Sequence, residues 1–397
     1  MNSHSKPTRA AFINLRHFRL KGLWGIYLNT AFRDFGISLV GVFLPVFVYK
    51  TVGNLPLTFL FFVIYHFSVL PSCWLAGKLT QKLGLDMLEF LSAVLRSLFL
   101  ICLMLAPWWW GFLWLGAIIY GMTIPFCWIP YYMTISEKVD RKHYGETVSK
   151  FEIITNIMGG VGPFAGGLII LSFGFNMLYF IAVAIFLISG LVIFLDDFDR
   201  KHMRFNFGKM MKRFARPGLR RFWLGRFGNA VEETVYTQAW FLFIFLTVSS
   251  YTVLGGIQSV SLLVSIIVAW LVGKWVDKKG PQILNYGVVG NVLNWLLRPF
   301  LVSGFFIFLA DLAYRILTIF IWTPFMAVTY KHAQDSHKLE FFIQGEWVYH
   351  AAGLLTSLFM MIISTQFNLS WSAIFSLAIL GLLMCTLVIT PGVVKKR

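Results

Sequence analysis

The sequence GKLTQKLG at Gly77–Gly84 returns in altered form, as GKWVDKKG at Gly273–Gly280, 196 residues further along the chain. Each copy follows an apolar segment that is long enough to cross a membrane. The triplet Ile124-Pro125-Phe126 is likewise matched by Thr323-Pro324-Phe325 at almost the same offset. Because the two pairs of matching motifs are separated by nearly the same number of residues, they predict that the chain contains two copies of one ancestral unit.

Apolar residues dominate the sequence around these motifs. Hydrophobic residues make up 58% of the 397 residues, aromatic residues 18% and charged residues only 13%, and the mean hydropathy is +0.73. Soluble domains rarely reach this balance, whereas a transmembrane helix needs about 20 mostly apolar residues. Twelve such segments are predicted, at residues 23–49, 56–76, 87–107, 109–134, 148–172, 176–195, 222–248, 251–272, 283–303, 304–329, 341–364 and 369–391. We therefore predict an all-α integral membrane protein with twelve transmembrane helices in two six-helix pseudo-repeats.

The basic residues that give the formal net charge of +17 are distributed unevenly along the chain, and their positions indicate the membrane topology. Basic residues crowd the N-terminal arm, the even-numbered connections and the C-terminal end, whereas Lys50 is the one basic residue in the odd-numbered connections. By the positive-inside rule, both ends and the long central loop are cytoplasmic, and the number of spans is even. We expect a multi-pass protein of the plasma (inner) membrane. The positive charge is not expected to bind nucleic acid.

The predicted domains follow from this topology. They are a cytoplasmic arm (1–22), an N-terminal six-helix bundle (23–195), a basic cytoplasmic central loop (196–221), a C-terminal six-helix bundle (222–391) and a cytoplasmic tail (392–397). Within the loop, aromatic and methionine residues mix with cations over residues 200–221. This composition suits either a helix on the anionic inner leaflet or a solvated linker.

Other classes of protein lack support in this sequence. The first apolar segment is too long for the core of a cleaved signal peptide. The four cysteines lie in apolar segments without disulfide or metal-ligand spacing. The sequence contains no nucleotide-binding loop, metal-ligand cluster or nucleophile motif. We therefore expect no cofactor, no metal and no enzyme activity, so a gradient must supply the energy for any transport.

The repeated Gly-x-x-x-x-[Lys/Arg]-x-Gly pattern resembles the signature of the major facilitator superfamily. There it forms the short cytoplasmic turn after the second helix of each half, and an acid within it can hold a neighbouring helix. The second copy keeps an acid, Asp277, but the first has Gln81, which predicts a latch that is weakened or rebuilt. The resemblance implies a transporter, expected to be monomeric, with motif residues Gly77, Lys78, Gln81, Lys82 and Gly84 and, in the second copy, Gly273, Asp277, Lys278 and Gly280.

The fifth predicted span is rich in glycine. Its Gly162-Pro163-x-x-Gly166-Gly167 core resembles the fifth-helix motif of superfamily members that exchange substrates for protons. Glycines permit close helix packing, and proline leaves a carbonyl unpaired and bends the helix. The motif therefore indicates either proton exchange or only a packing surface.

Charged residues inside the spans must face the bundle interior, because a lipid-facing charge costs roughly 2.5–3.5 kcal/mol on insertion scales. Five of them lie near the midplane of their helices, and these are Arg33, Asp34, Arg96, Glu232 and Glu233. Adjacent side chains point about 100° apart on a helix, so we expect that Arg33 does not simply neutralise Asp34. A buried, incompletely paired carboxylate can bind a proton near neutral pH. Glu232 or Glu233, and then Asp34, are the predicted proton carriers, unless all five form fixed ion pairs.

The remaining intramembrane groups have other expected roles. Asp311 and Arg315 are four residues apart, which predicts a structural pair, and Arg315 is also a candidate for the cavity. Arg298, near the outer end of its span, is expected to snorkel. Glu152 and Glu346 occupy equivalent places near the cytoplasmic boundary, so they are predicted latches that meet basic residues of the turns. The histidines within spans, His66 and His350, are each expected to be hydrogen-bonded core residues.

Taken together, these features favour a secondary transporter that works by alternating access around a midplane site. Midplane acids and the glycine-rich fifth helix favour proton coupling and export. Uptake of a small organic solute is the alternative, and Arg33 with Arg96 would suit an anionic one. A membrane receptor or assembly platform built on the same bundle is a third possibility, and a membrane-embedded transferase lacks the polar interfacial cluster that it would need.

Overall fold

The computed structural model describes residues 24–138, 144–195, 203–214, 216–279, 281–333, 337–366 and 370–388. Over these residues the protein is helical, with no β-strand. The all-α fold predicted from the sequence is therefore confirmed.

The first six predicted spans all fall on helices. These are α1 (Trp24–Gly41, continued as Leu44–Val52), α2 (Leu55–Leu83), α3 (Leu85–Leu105), α4 (Gly111–Lys138), α5 (144–173) and α6 (175–192). Helices α5 and α6 are separated at Gly174, whose φ of +79° favours glycine. The turn between α2 and α3 also favours glycine, because Gly84 has a φ of +82°.

The other six predicted spans also fall on helices. These are α7 (Pro217–Thr234, Val235–Trp240 and Phe241–Val248), α8 (Tyr251–Lys279), α9 (Leu284–Leu297), α10 (Gly304–Ala333), α11 (Lys338–Gln366) and α12 (Trp371–Cys385). The middle section of α7 is a π-helical turn. Within the described residues, nine stretches are long and apolar enough to cross a membrane. Helices α5 and α6 count there as one stretch, and α7 and α9 are not among them.

Helix contacts recur in the two halves of the chain. In the first half, α1 packs against α5 and α6, α2 and α3 pack against α4, and α3 packs against α6. In the second half, α7 packs against α11 and α12, α8 and α9 pack against α10, and α9 packs against α12. Each of these contacts in the first half has its equivalent in the second, which is what a duplicated six-helix unit would produce. The domain limits themselves stay a prediction.

The two halves meet mainly along two helix pairs. Helix α2 packs against α11, and α5 packs against α8. These pairs are also equivalent, since α2 corresponds to α8 and α5 to α11. The interior between them holds the polar residues that form the candidate site.

A short amphipathic helix, Phe207–Phe214, lies in the central loop and packs against the start of α11. The Gln344 side chain in α11 donates to the Met210 carbonyl of this helix. Residues 203–214, which we call the linker segment, therefore lie against the membrane bundle instead of forming a free loop.

Candidate functional site

An ion cluster lies inside the first half. The Arg33 Nε donates to Asp34 Oδ1 at 2.8 Å, and its Nη1 lies 3.4 Å from Glu89 Oε1. Thr155 donates to the other Asp34 oxygen at 2.7 Å, and Arg33 also stacks over the Tyr131 ring at 4.6 Å. The expectation that Arg33 does not neutralise Asp34 was wrong. The long Arg side chain curls back to its neighbour, so the angle between Cβ directions does not limit the contact.

Arg96 lies apart from this cluster on α3. It is 4% exposed, and its guanidinium carbon is 5.5 Å from the Phe186 ring centroid. Glu89 lies close enough to interact with it electrostatically. Within the described part of the chain, Arg96 forms no ion pair within 4.0 Å, which leaves this buried cation available for another acceptor.

Glu232 lies near the middle of α7 and is 4% exposed. Its Oε1 accepts a hydrogen bond from Trp295 Nε1 at 3.0 Å, and its Oε2 accepts one from the Tyr314 hydroxyl at 3.3 Å. Both donors are neutral. Among the described residues, no cation forms an ion pair with Glu232 within 4.0 Å.

Arg298 is enclosed by aromatic rings beside Glu232. It is fully buried, and its guanidinium carbon lies 3.9 Å from the ring centroids of both Trp240 and Trp295 and 4.8 Å from that of Tyr314. We call these three rings the Arg298 cage. The expectation that Arg298 snorkels to the outer interface was wrong, because α9 ends at Leu297 and a 3₁₀ turn carries the next residue.

Asp311 and Arg315 are connected through other residues. Asp311 Oδ1 accepts from Tyr236, Trp240 and Gln258 at 3.0, 2.9 and 3.0 Å. Arg315 donates to Gln258 Oε1 at 2.8 Å. No direct pair forms between them in the described structure, so the predicted structural pair was wrong. The Gln258 amide can bond both groups at once because it carries a donor and an acceptor.

A second charged group surrounds Arg226 in the first section of α7. Arg226 lies 3.9 Å from Glu346 Oε1 and stacks over the Tyr349 ring at 4.8 Å. Glu233 lies close enough to Arg226 and Tyr349 to interact with both. Glu346 is 4% exposed and pairs with Arg226 of α7, and its predicted contact with turn residues stays a prediction, because part of those turns lies outside the residues whose side chains are described.

A hydrogen-bonded chain crosses the boundary between the two halves. Ser357 donates to Gln238 Oε1 at 2.9 Å, so the Gln238 amide nitrogen faces His66 Nε2 at 3.1 Å. His66 Nε2 therefore accepts, and the His66 proton lies on Nδ1, which is 2.9 Å from His350 Nδ1. His350 then carries its proton on Nε2, 3.6 Å from Glu346 Oε2. His66 belongs to α2 and the other four residues to the second half.

The first copy of the sequence motif contacts the linker segment. The Gln81 amide donates to the Phe205 carbonyl at 2.8 Å, and the Phe205 ring covers Gly77, where a Cβ would lie 2.8 Å from the ring. Lys78 and Lys82 are exposed. Glu152, Gly273, Asp277, Lys278 and Gly280 lie outside the residues whose side chains are described, so their predicted roles stay predictions.

The glycines of the fifth-helix motif lie at helix contacts. A Cβ at Gly162 would overlap Ser38 of α1, and one at Gly166 would overlap the Leu39 carbonyl of the same helix. A Cβ at Gly167 would lie 2.6 Å from the Tyr251 carbonyl of α8. Pro163 presents its carbonyl to Gly255 of α8. This geometry supports the packing interpretation of the motif and leaves its link to proton exchange a prediction.

Several of these partners were missed by the sequence analysis. Glu89 and Arg226 lie inside predicted spans, so the search for intramembrane charges could have found them. Gln238 and Gln258 are buried amides within spans, a weaker signal of the same kind. The pairing of His66 with His350 has no signal in one sequence, because it depends on how α2 and α11 meet.

Comparison with known proteins connects this architecture to a family. The model of the Major Facilitator Superfamily matches residues 26–341. The crystal structure of the E. coli fucose:proton symporter FucP is similar with a TM-score of 0.63, at 15% identity, over 92% of this chain and 97% of that one. A structure of FucP in the outward conformation gives a TM-score of 0.62 at 14% identity over the same shares. At this identity the likeness concerns the fold alone, and no curated protein matched the sequence.

The family match spans well over half of the sequence, and the structural match covers nearly all of it. The chain therefore belongs to the Major Facilitator Superfamily and is a multi-pass membrane transporter, not an enzyme.

Proposed function

We propose that this transporter couples the movement of a small solute to protons, with Glu232 as the proton-carrying group. The observation that carries the proposal is the surroundings of Glu232, a buried midplane acid that is bonded to the neutral donors Trp295 and Tyr314. Ionic bonds to a cation would fix the carboxylate in its charged form. Neutral donors leave both charge states accessible.

The hydrogen bonds of Glu232 can be kept in both states. The Tyr314 hydroxyl donates to the carboxylate, and it can turn to accept from the carboxylic acid. Trp295 donates only, and one carboxyl oxygen stays an acceptor after protonation. Proton uptake therefore leaves both carboxyl oxygens of Glu232 with a partner, whereas a buried oxygen without one would cost about 1–3 kcal/mol.

The other candidate acids are less suited to carry the proton. Asp34 is paired with Arg33 at 2.8 Å. Glu233 interacts with Arg226 and Tyr349, on the side of the interior that holds Glu346. We assign these acids and Arg315 to the polar lining of the cavity.

The histidine pair offers a link between protonation and rocking of the halves. With both rings neutral, each nitrogen contact from Gln238 to His350 has one donor and one acceptor. A proton added to either ring places two donors face to face at one of these contacts. Since His66 lies on α2 and His350 on α11, such a proton would weaken the contact between the halves.

Export is the direction that we propose, with both termini cytoplasmic in the plasma membrane and with bundles at residues 23–195 and 222–391. Proton-coupled uptake of a small organic anion is the second candidate. Arg96 favours it, because this buried cation forms no ion pair within the described residues. Monosaccharides should be tested as well, because the structurally similar protein FucP is named a fucose:proton symporter.

The test begins with thermal-shift screening of the purified protein against sugars, organic anions and cationic drugs. A ligand at 100 times its Kd stabilises by about 2.7 kcal/mol. The solute that is found is then followed in proteoliposomes with and without an imposed pH gradient. Glu232→Gln is expected to abolish gradient-driven accumulation while downhill exchange persists. Glu233→Gln, one residue along, is the matched comparison and is expected to keep gradient-driven accumulation.

Two results would contradict the proposal. Accumulation that survives Glu232→Gln removes this residue as the carrier. Accumulation that survives replacement of Asp34, Glu232 and Glu233 together removes proton coupling through these acids. Binding of a solute without flux under any gradient would favour the receptor alternative.

A further inference from the structure

A basic cavity lies outside the transport interior, between the linker segment and the start of α11. Its volume is about 270 Å³. This volume is close to the lower end of the range for small-molecule sites, about 300–1,000 Å³. It is lined by Lys209, Lys212, Arg213, Arg216, His337 and Glu340.

The lining carries a large excess of positive charge. Among the described residues, the lining has four permanent cations and one carboxylate. That carboxylate, Glu340, is already engaged, because it accepts from the backbone N–H of Asn206 at 3.2 Å and lies 3.9 Å from His337 Nδ1. Clustered cations repel one another unless an anion lies between them.

Arg213 is held in place at the base of this cavity. It is 5% exposed, donates to the carbonyls of His337 and His332 at 3.4 and 3.3 Å, and stacks over the Phe341 ring at 5.2 Å. Lys209, Lys212 and Arg216 are exposed around it. Three exposed cations beside a fixed guanidinium are a suitable arrangement for several oxygens of a single anion.

The helix beside the cavity has an apolar face as well. Phe207 and Met211 are four residues apart, so they share a face, and they are 44% and 41% exposed. Met210 faces the bundle and is 1% exposed. An amphipathic helix with basic residues around an apolar face is typical of the cytoplasmic membrane surface, where anionic phospholipids lie.

We propose that this cavity binds a phosphate group, supplied by the headgroup of an anionic phospholipid or by a soluble phosphate. The cavity lies away from Glu232, so the proposal does not depend on the transport mechanism. A bound phosphate bridges the linker segment to α11, reinforcing the contact that Gln344 makes with Met210.

The experiment measures the melting temperature of the full-length protein in a neutral detergent. Three additives are titrated, namely inorganic phosphate, a short-chain phosphatidylglycerol and a phosphatidylcholine of the same chain length. Phosphatidylglycerol or phosphate is expected to raise the melting temperature, and phosphatidylcholine is not. A response to phosphatidylglycerol alone assigns the lipid as the source, and a response to phosphate alone assigns a soluble ligand.

Variants separate this site from general charge attraction. The triple change Lys209→Gln, Lys212→Gln and Arg216→Gln is expected to raise the apparent Kd roughly tenfold or more. The control is Lys82→Gln, Arg220→Gln and Arg221→Gln, which removes the same charge from exposed residues outside the cavity lining. Equal weakening in both triple variants, or no thermal response to either phosphate form, would overturn the proposal.

Discussion

At the scale of single residues, Arg298 shows how a buried charge is accommodated without a carboxylate in direct contact. Its guanidinium lies between the rings of Trp240 and Trp295, at 3.9 Å from each centroid. Trp295 also donates to Glu232, and Trp240 donates to Asp311. The same two indoles therefore stack on the cation and hold the neighbouring acids.

Replacing Arg298 by lysine tests this stacking. An ammonium group keeps the charge but cannot stack on two flat rings, so we expect Arg298→Lys to destabilise the protein by roughly 1–2 kcal/mol. The measurement is the melting temperature of the purified protein in detergent. Arg221→Lys, at an exposed position, is the control and is expected to change stability by less than about 0.5 kcal/mol. An unchanged melting temperature for Arg298→Lys would show that the cage does not stabilise the cation.

At the scale of elements, the linker segment connects the two halves of the bundle through hydrogen bonds. Gln81 stands where the second copy has Asp277, and its amide donates to the Phe205 carbonyl. The next residue of the segment, Asn206, donates its backbone N–H to Glu340 at the start of α11. The segment is thus bonded to α2 in the first half and to α11 in the second, and whether the predicted latch is weakened or rebuilt stays a prediction.

Removing the Gln81 amide should loosen the linker segment. A hydrogen bond contributes about 1 kcal/mol, so Gln81→Leu is expected to increase amide exchange in residues 203–214 roughly fivefold. Hydrogen–deuterium exchange with mass spectrometry in detergent measures this directly. Lys82→Leu changes the exposed neighbour and is expected to leave the exchange of the segment unchanged. Equal exchange in the two variants would mean that Gln81 does not hold the linker.

The π-helical turn of α7 is a second feature at this scale. Residues Val235–Trp240 form it, and one residue separates it from Glu233. It carries Tyr236, Gln238 and Trp240, and each of them bonds to a polar group of another helix. Single π-turns often occur at functional sites because they shift the direction of the following side chains.

At the scale of the whole molecule, the halves approach closely where α5 meets α8. The Pro163 carbonyl of α5 occupies the space that a Cβ at Gly255 would need, and Phe164 donates its amide proton to Ser259 Oγ at 2.9 Å. A Cβ at Gly256, one residue along, would lie 3.9 Å from its first neighbour, Phe164 Cδ2. Any rocking of the two halves would therefore act on this contact between α5 and α8.

Alanine at these two glycines should therefore have different effects. Gly255→Ala pushes α5 and α8 apart and is expected to cost roughly 1–3 kcal/mol, and to slow solute flux in proteoliposomes. Gly256→Ala places its methyl group in ordinary contact and is expected to leave both stability and flux near those of the parent protein. Melting temperature and flux are measured on the same preparations. Equal behaviour of the two variants would contradict the close approach.

The sequence by itself determined the helical membrane fold, the positions of the helices along the chain and membership of the family. These features depend on local properties, namely the length of apolar segments and the glycines at tight turns such as Gly84 and Gly174. The glycine-rich fifth helix was also visible, because small residues are needed wherever two helices approach closely.

Only the tertiary structure decided which buried groups meet. Arg298 turned out to be enclosed by aromatic rings, Asp311 and Arg315 are joined through Gln258, and His66 bonds His350 from the other half. Such contacts depend on the rotation of each helix about its axis and on how helices far apart in sequence cross. The length of an apolar segment specifies neither the rotation nor the crossing. An apolar helix is compatible with the bilayer at many rotations about its axis.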